Sequence, residues 1–132
     1  MKTKNLIERL CLFLLALVLT MPTWAQGGSG NESETITIAS KADWKTFCDR
    51  VNKGQTTLNA KLTKDVDLGE EIVMAGTADS YYYVFFYYTG TFDGQGHTLK
   101  FNWNAGKDDR IAPFKYVKDA TIKNLRTQGK IT

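Results

Sequence analysis

Gly90-Thr91-Phe92-Asp93-Gly94-Gln95-Gly96-His97-Thr98-Leu99-Lys100-Phe101-Asn102-Trp103 sets a glycine-punctuated turn directly before a strand. Aspartate and glycine suit such a turn, because the carboxylate bonds to nearby backbone amides and glycine enters backbone conformations closed to other residues. The same texture runs from Thr57 onward, with short strands expected over 58–62, 66–68, 72–74, 81–88, 98–103 and 120–125. No helical pattern of about 10–15 residues separates these strands, which excludes a doubly wound sheet with crossover helices. The body is therefore all-β, and a sandwich, a barrel or a solenoid satisfies the pattern.

Upstream, Ile36 and Ile38 alternate with threonines over 35–39, the period of a half-buried strand. Ser40 then suits a helix N-cap with Asp43 reaching back to it, and Trp44, Phe47, Cys48 and Val51 recur at the spacing of one buried helix face. Gly54 supplies a left-handed stop. Residues 26–34 are rich in Gly, Ser, Asn and Glu without apolar periodicity and read as a flexible lead. Within them Asn31-Glu32-Ser33 fits the N-glycosylation pattern, which operates only in a eukaryotic secretory pathway.

Residues 1–25 read as a cleavable signal peptide. Lys2, Lys4 and Arg9 form a basic start, the apolar run over 10–20 is too short to span a bilayer, and Thr23 and Ala25 stand at the −3 and −1 positions of a cleavage that makes Gln26 the first residue. Cys11 follows Arg9-Leu10 rather than small residues, which argues against lipoprotein processing. The expected location is secreted or cell-surface, with no integral membrane segment once the signal is removed. Cleavage removes three of the 17 basic residues and one of the 14 acidic ones, so the formal net charge falls from +3 to +1. No basic stripe remains to bind nucleic acid. Cys48 is then the single cysteine, so an intrachain disulfide is excluded and stability must come from burial. The chain that remains from Gln26 to Thr132 has the length of one ordinary domain.

Thr98-Leu99-Lys100 recurs as Thr121-Ile122-Lys123, an offset close to the length of one solenoid coil. The stretch from Gly90 to Leu99, followed by Ala120-Thr121-Ile122-Lys123-Asn124-Leu125, resembles the opening coils of bacterial secreted and surface proteins with GLUG-type right-handed parallel β-helix repeats. Asp43-Trp44-Lys45-Thr46-Phe47, Val51-Asn52-Lys53-Gly54 and Leu62-Thr63-Lys64-Asp65-Val66-Asp67-Leu68 extend the resemblance over most of the exported chain. Two departures stand out. Ala112-Pro113-Phe114-Lys115 replaces the family's small-residue, leucine, Phe-Gly signature, and the run Tyr81-Tyr82-Tyr83-Val84-Phe85-Phe86-Tyr87-Tyr88 is more aromatic than its counterpart.

The resemblance implies an all-β fold with one N-terminal capping helix, in which residues 35–132 form the capped start of a right-handed parallel β-helix; the alternative is a small antiparallel β-sandwich. It implies a non-catalytic binding or structural module of an exported cell-surface or adhesin-like protein, with a glycan or a host or surface protein as partner. The alternative is the N-terminal fragment of a secreted carbohydrate-active enzyme, a polysaccharide lyase or glycosidase. A single coil cannot bury its apolar side, so about three stacked coils and a cap are needed, and the Trp44 helix fits the cap by covering strand edges. Lys130-Ile131-Thr132 reads as the opening of one more strand without a polar cap, giving the expectation of a chain truncated within a repeat array.

Candidate chemistry is sparse. His97 is the only histidine; Asp93 across the Gly94-Gln95-Gly96 turn would make an acid/base pair with it, against the expectation that both satisfy turn hydrogen bonds. A phosphate loop at Gly94 and Gly96 would need a helix after it, and a strand follows. Asp65, Asp67, Glu70 and Glu71 offer oxygen ligands to calcium, but without calcium-loop spacing, and alternation with Val66 and Leu68 accounts for them as a solvated strand face. No catalytic motif is present, and neither metal nor cofactor is expected. In the run 81–88 both strand faces carry rings. The expected arrangement buries it between the coil interior and the cap or a neighbouring loop; the alternative exposes Tyr81, Tyr83 and Tyr87, with Trp103, as ligand-binding rings able to stack on sugars or anchor a protein.

Overall fold

The computed structural model describes residues 34–132. The expected signal peptide, the glycosylation pattern and the lead apart from Glu34 lie outside the described residues. Glu34 itself is tied down: its carboxylate pairs with Arg50, and its carbonyl accepts from the Asn59 amide at 2.8 Å. The elements run β1 (Thr35–Ile38), α1 (Lys41–Asn52), β2 (Asn59–Leu62), β3 (Val66–Asp67), β4 (Thr77–Asp79), β5 (Val84–Phe86), β6 (Thr91–Asp93), β7 (Thr98–Trp103), β8 (Thr121–Lys123) and β9 (Arg126–Ile131). The fold is all-β with one short helix.

Local chemistry explains α1. The Asp43 amide donates to Ser40 Oγ at 3.2 Å and the Ala39 amide donates to Asp43 Oδ2 at 3.0 Å, so each side chain satisfies a donor that the helix start leaves free. At the other end Gly54, at φ +113°, lets the chain turn out while its amide donates to the Val51 carbonyl at 3.1 Å. Trp44, Phe47, Cys48 and Val51 are fully buried, as their spacing predicts.

Two sheets carry the body. In the first, β1, β2, β6 and β8 lie side by side in that order; in the second, β3, β7 and β9 do, and every pairing in both is parallel. Ala75 also bridges Phe114 and Tyr88 bridges Val117, both in parallel, while β4 and β5 form the antiparallel pair. These directions rule out the antiparallel sandwich. Parallel stacking lines residues up in rows: Ile36, Ala60, Phe92 and Ile122 face inward as neighbours, whereas Thr37, Lys61, Asp93 and Lys123 form the adjacent outward row. The core between the sheets holds Ile38, Leu62, Val66, Leu68 and Leu99.

The threonine-aliphatic-lysine recurrence does not mark the stacking period. Thr121-Ile122-Lys123 lies beside Thr91-Phe92-Asp93, and Thr98-Leu99-Lys100 is covered by Arg126-Thr127-Gln128, so neither copy of the recurrence pairs with the other. The two copies of the recurrence sit in strands of different sheets. Three strand expectations change as well. Residues 72–74 make no ladder, because the Val73 carbonyl accepts from Trp44 Nε1 at 2.9 Å and the Met74 carbonyl from Asn52 Nδ2 at 3.0 Å, which ties this segment to the helix. The expected strand at 120–125 ends at Lys123, and Lys130 and Ile131 belong to β9 rather than opening a later strand.

The turn between β6 and β7 packs against the turn between β8 and β9. Gly94 and Gly96 amides donate to the Lys123 and Asn124 carbonyls, each at 2.8 Å. A Cβ on Gly94 would stand 2.5 Å from the Asn124 carbonyl oxygen and 2.6 Å from Leu125 Cα, closer than any side chain tolerates. Gly94→Ala should therefore separate the two turns and destabilise the protein by about 1–3 kcal/mol. Trp44→Ala, which empties the centre of the helix contact, should lower stability by about 3–5 kcal/mol in urea unfolding. An unchanged midpoint for Trp44→Ala would contradict the role of α1 as part of the core.

Candidate binding surface

The run 81–88 is not one strand. Thr77, Ala78 and Asp79 pair with Phe86, Phe85 and Val84, so the chain reverses through the first three tyrosines. Asp79 causes the reversal: its Oδ1 accepts the amides of Tyr81 at 2.9 Å and Tyr82 at 3.2 Å, and Tyr83 closes the turn at φ +54°. The expectation of burial fails at this tip, where Tyr81 is 82% and Tyr83 83% exposed. Tyr81 and Tyr82 meet edge to face with centroids 4.8 Å apart.

Past the tip the chain does sort its rings. Phe86 leans toward Gly54 at the end of α1, and Tyr88 is buried 5.3 Å from Phe47 and 5.8 Å from Phe114. On the opposite side Phe85 and Tyr87 stack at 5.9 Å with an interplanar angle of 17°, and Tyr87 is 37% exposed. Tyr116 meets Tyr87 edge-on at 6.0 Å, extending the row. Sequence reading missed Tyr116, because only the parallel bridges at Phe114 and Val117 bring its segment alongside the hairpin. Arg110 Nη1 donates to Tyr116 Oη at 3.4 Å, and Lys115 Nζ lies 5.8 Å from the Tyr116 ring centroid.

Trp103 does not belong to this surface. It is completely buried at the end of β7, 4.9 Å from Phe101. The reason is register: Leu99, Phe101 and Trp103 share one face of the strand, and that face points to the core. Of the four expected ligand-binding residues, the structure brings Tyr81, Tyr83 and Tyr87 together on one hairpin and removes Trp103.

A cleft of about 390 Å³ lies between α1 and the base of the hairpin, with Lys45, Asp49, Asn52, Thr77, Lys115 and Tyr116 among its walls. Asn52 Oδ1 is buried there and accepts no hydrogen bond from the described residues. The cleft joins polar groups to an aromatic ring, the mixture that orients a polar organic ligand.

The turn acids are otherwise engaged. Asp93 and His97 do not pair; Asp93 Oδ1 accepts from the Gln95 amide at 2.9 Å and Asn124 Nδ2 at 3.1 Å, while His97 Nδ1 lies 3.5 Å from Asp65 Oδ1. Asp65 also accepts the Thr98 amide at 2.9 Å, and Asp67 the Gly69 amide at 2.9 Å. Glu71 pairs with Lys45 at 2.7 Å and Lys41 at 3.0 Å. These contacts account for Asp65, Asp67 and Glu71 as structural groups. Burial pushes the Cys48 thiol well above its ordinary range, which keeps it neutral and a poor nucleophile. No helix among the described residues is long and apolar enough to cross a membrane.

Comparison of the chain with protein-family models, curated proteins and solved structures finds no match. The functional reading rests on the surface itself.

Backbone amides hold two carboxyls below the usual carboxylate range, Thr98 with help from His97 at Asp65, and Gln95 with help from Asn124 at Asp93. A group depressed in the folded state contributes stability that is complete above its unfolded value, about 4, and is lost as pH falls through the folded value. Asp65→Asn and Asp93→Asn should each flatten the fall of the thermal midpoint below about pH 4. An equally steep fall in both variants would show that these turns do not set acid stability.

Proposed function

We propose that this chain is a non-catalytic module of an exported cell-surface or adhesin-like protein: the capped N-terminal start of a right-handed parallel β-helix, whose aromatic hairpin contacts a glycan or a surface protein. The observation that carries the binding reading is the exposure of Tyr81, Tyr82, Tyr83, Phe85 and Tyr87 together on one hairpin. Leaving these rings in water forfeits about 25 cal/mol for each Å² of apolar surface left unburied, and folded chains seldom gather such rings on the surface without a partner for them. Tyrosine adds a flat apolar face with a polar edge, which suits stacking on the C–H face of a sugar or anchoring in a protein partner.

The β-helix reading is supported by the parallel rows in both sheets, by the position of α1 against the inward rings and by the GLUG-type resemblance. Export is supported by the basic, apolar and small-residue pattern of residues 1–25. The hairpin is anchored by Phe86 and Tyr88, which gives the exposed rings a fixed base and lowers the entropy lost on binding.

A glycan array probed with the exported chain should show signals that fall at least about tenfold in a Tyr81→Ala/Tyr83→Ala variant, as loss of aromatic anchors does. The unfolding midpoint should stay unchanged, since both side chains lie in solvent. Equal signals from the two proteins would remove the hairpin tip from the binding surface.

A further inference from the structure

The cleft beside α1 holds an acceptor that nothing else among the described residues uses. Asn52 Nδ2 donates to the Met74 carbonyl at 3.0 Å, so the amide cannot turn over without setting two oxygens against each other. Its Oδ1 is thereby fixed as a buried acceptor without a donor, a state that costs free energy and that an incoming donor relieves. Asp49, three residues earlier on the same helix, also borders the cleft and adds a carboxylate to the acceptors. Lys45 and Lys115 stand in the walls against Asp49 and Glu71, which leaves the lining without net charge. Neither β8 nor β9 contributes to these walls.

We propose that this cleft binds a single neutral sugar ring, whose hydroxyls donate to Asn52 Oδ1 and to the Asp49 carboxylate. The ligand must bring donors, because the two groups without a use are both acceptors. An anion would leave Asn52 Oδ1 unpaired and meet Asp49, and walls without net charge draw an ion of neither sign. Hydroxyls satisfy both acceptors and accept from the lysines in return. Ile72 and Met74 supply apolar wall for the C–H groups of a sugar, and about 390 Å³ falls within the range of about 300–1,000 Å³ typical of small-ligand pockets. Tyr116 borders the cleft and meets Tyr87 edge-on at 6.0 Å, which joins the cleft to the aromatic row of the hairpin. A glycan laid along that row reaches the cleft with its terminal ring; this link alone rests on the binding reading of the hairpin, and it favours a glycan over a protein as the partner.

The test titrates the isotope-labelled exported chain with the methyl glycosides of glucose, galactose and mannose, each raised to about 50 mM, and follows the amide resonances by NMR. At least one glycoside should shift the Asn52 side-chain amide and the backbone amides of 71–78 in a saturable way. Asp49→Ala, a change at an exposed position, should keep the unfolding midpoint and weaken that binding about tenfold. Calcium chloride and free lysine, as charged probes, should leave the same resonances in place. No shift from any of the three glycosides would overturn the proposal by assigning Asn52 Oδ1 to water. Undiminished affinity in Asp49→Ala, or a larger response to calcium or lysine than to the sugars, would overturn it as well. Shifts confined to 81–83 would remove the cleft as a site while leaving the hairpin reading in place.

Discussion

Five rings hold this molecule together. Trp44 and Phe47 from α1 meet Phe92, Phe114 and Tyr88, with Trp44 5.6 Å from Phe114 and 5.9 Å from Phe92, and Phe92 5.0 Å from Phe114. Most of the contacts are edge to face, the arrangement that adds quadrupole attraction to the burial of large apolar area. The cluster joins parts of the chain that no ladder joins: the helix, the middle strand β6, and two segments paired only by single bridges. With a lone buried cysteine and no cross-link within 34–132, that burial replaces what a disulfide supplies in many small exported domains.

The cluster also settles where the unusual aromatic run points. Once Tyr88 is fixed against Phe47 and Phe114, strand alternation commits Phe86 to the helix side and turns Phe85 and Tyr87 outward. The exposed rings are therefore a consequence of inward packing one residue away. A chain able to bury every ring would need a second covering layer, and the three consecutive tyrosines at the turn have no core within reach.

Much of this was legible in the sequence where the determining physics is local. The helix follows from Ser40, Asp43, Gly54 and a four-residue apolar face, all within one segment, and β7 follows from its own composition. The hairpin was obscured because the β preference of tyrosine and phenylalanine outweighed the turn-forming Asp79-Ser80 just before them. The burial of Trp103 follows from its alternation with Leu99 and Phe101, a signal that residue type alone, which groups it with the tyrosines, does not carry. The pairing of the strands was hidden because a short recurrence of threonine, aliphatic and lysine falls in strands of two different sheets, neither copy beside the other. Tyr116 and the Asp65–His97 contact arise from stacking between distant segments, which no single stretch of sequence encodes.

The tip formed by Ser80 and the three tyrosines lies outside both parallel ladders, and no row of the core passes through it. Residues there can be exchanged, lengthened or deleted without shifting the phase of any stacked strand. The exposed rings and the stacked core thus lie on separate parts of the chain, and Gly94, Phe92 and Trp44 are held in place by their neighbours where the hairpin tip is not.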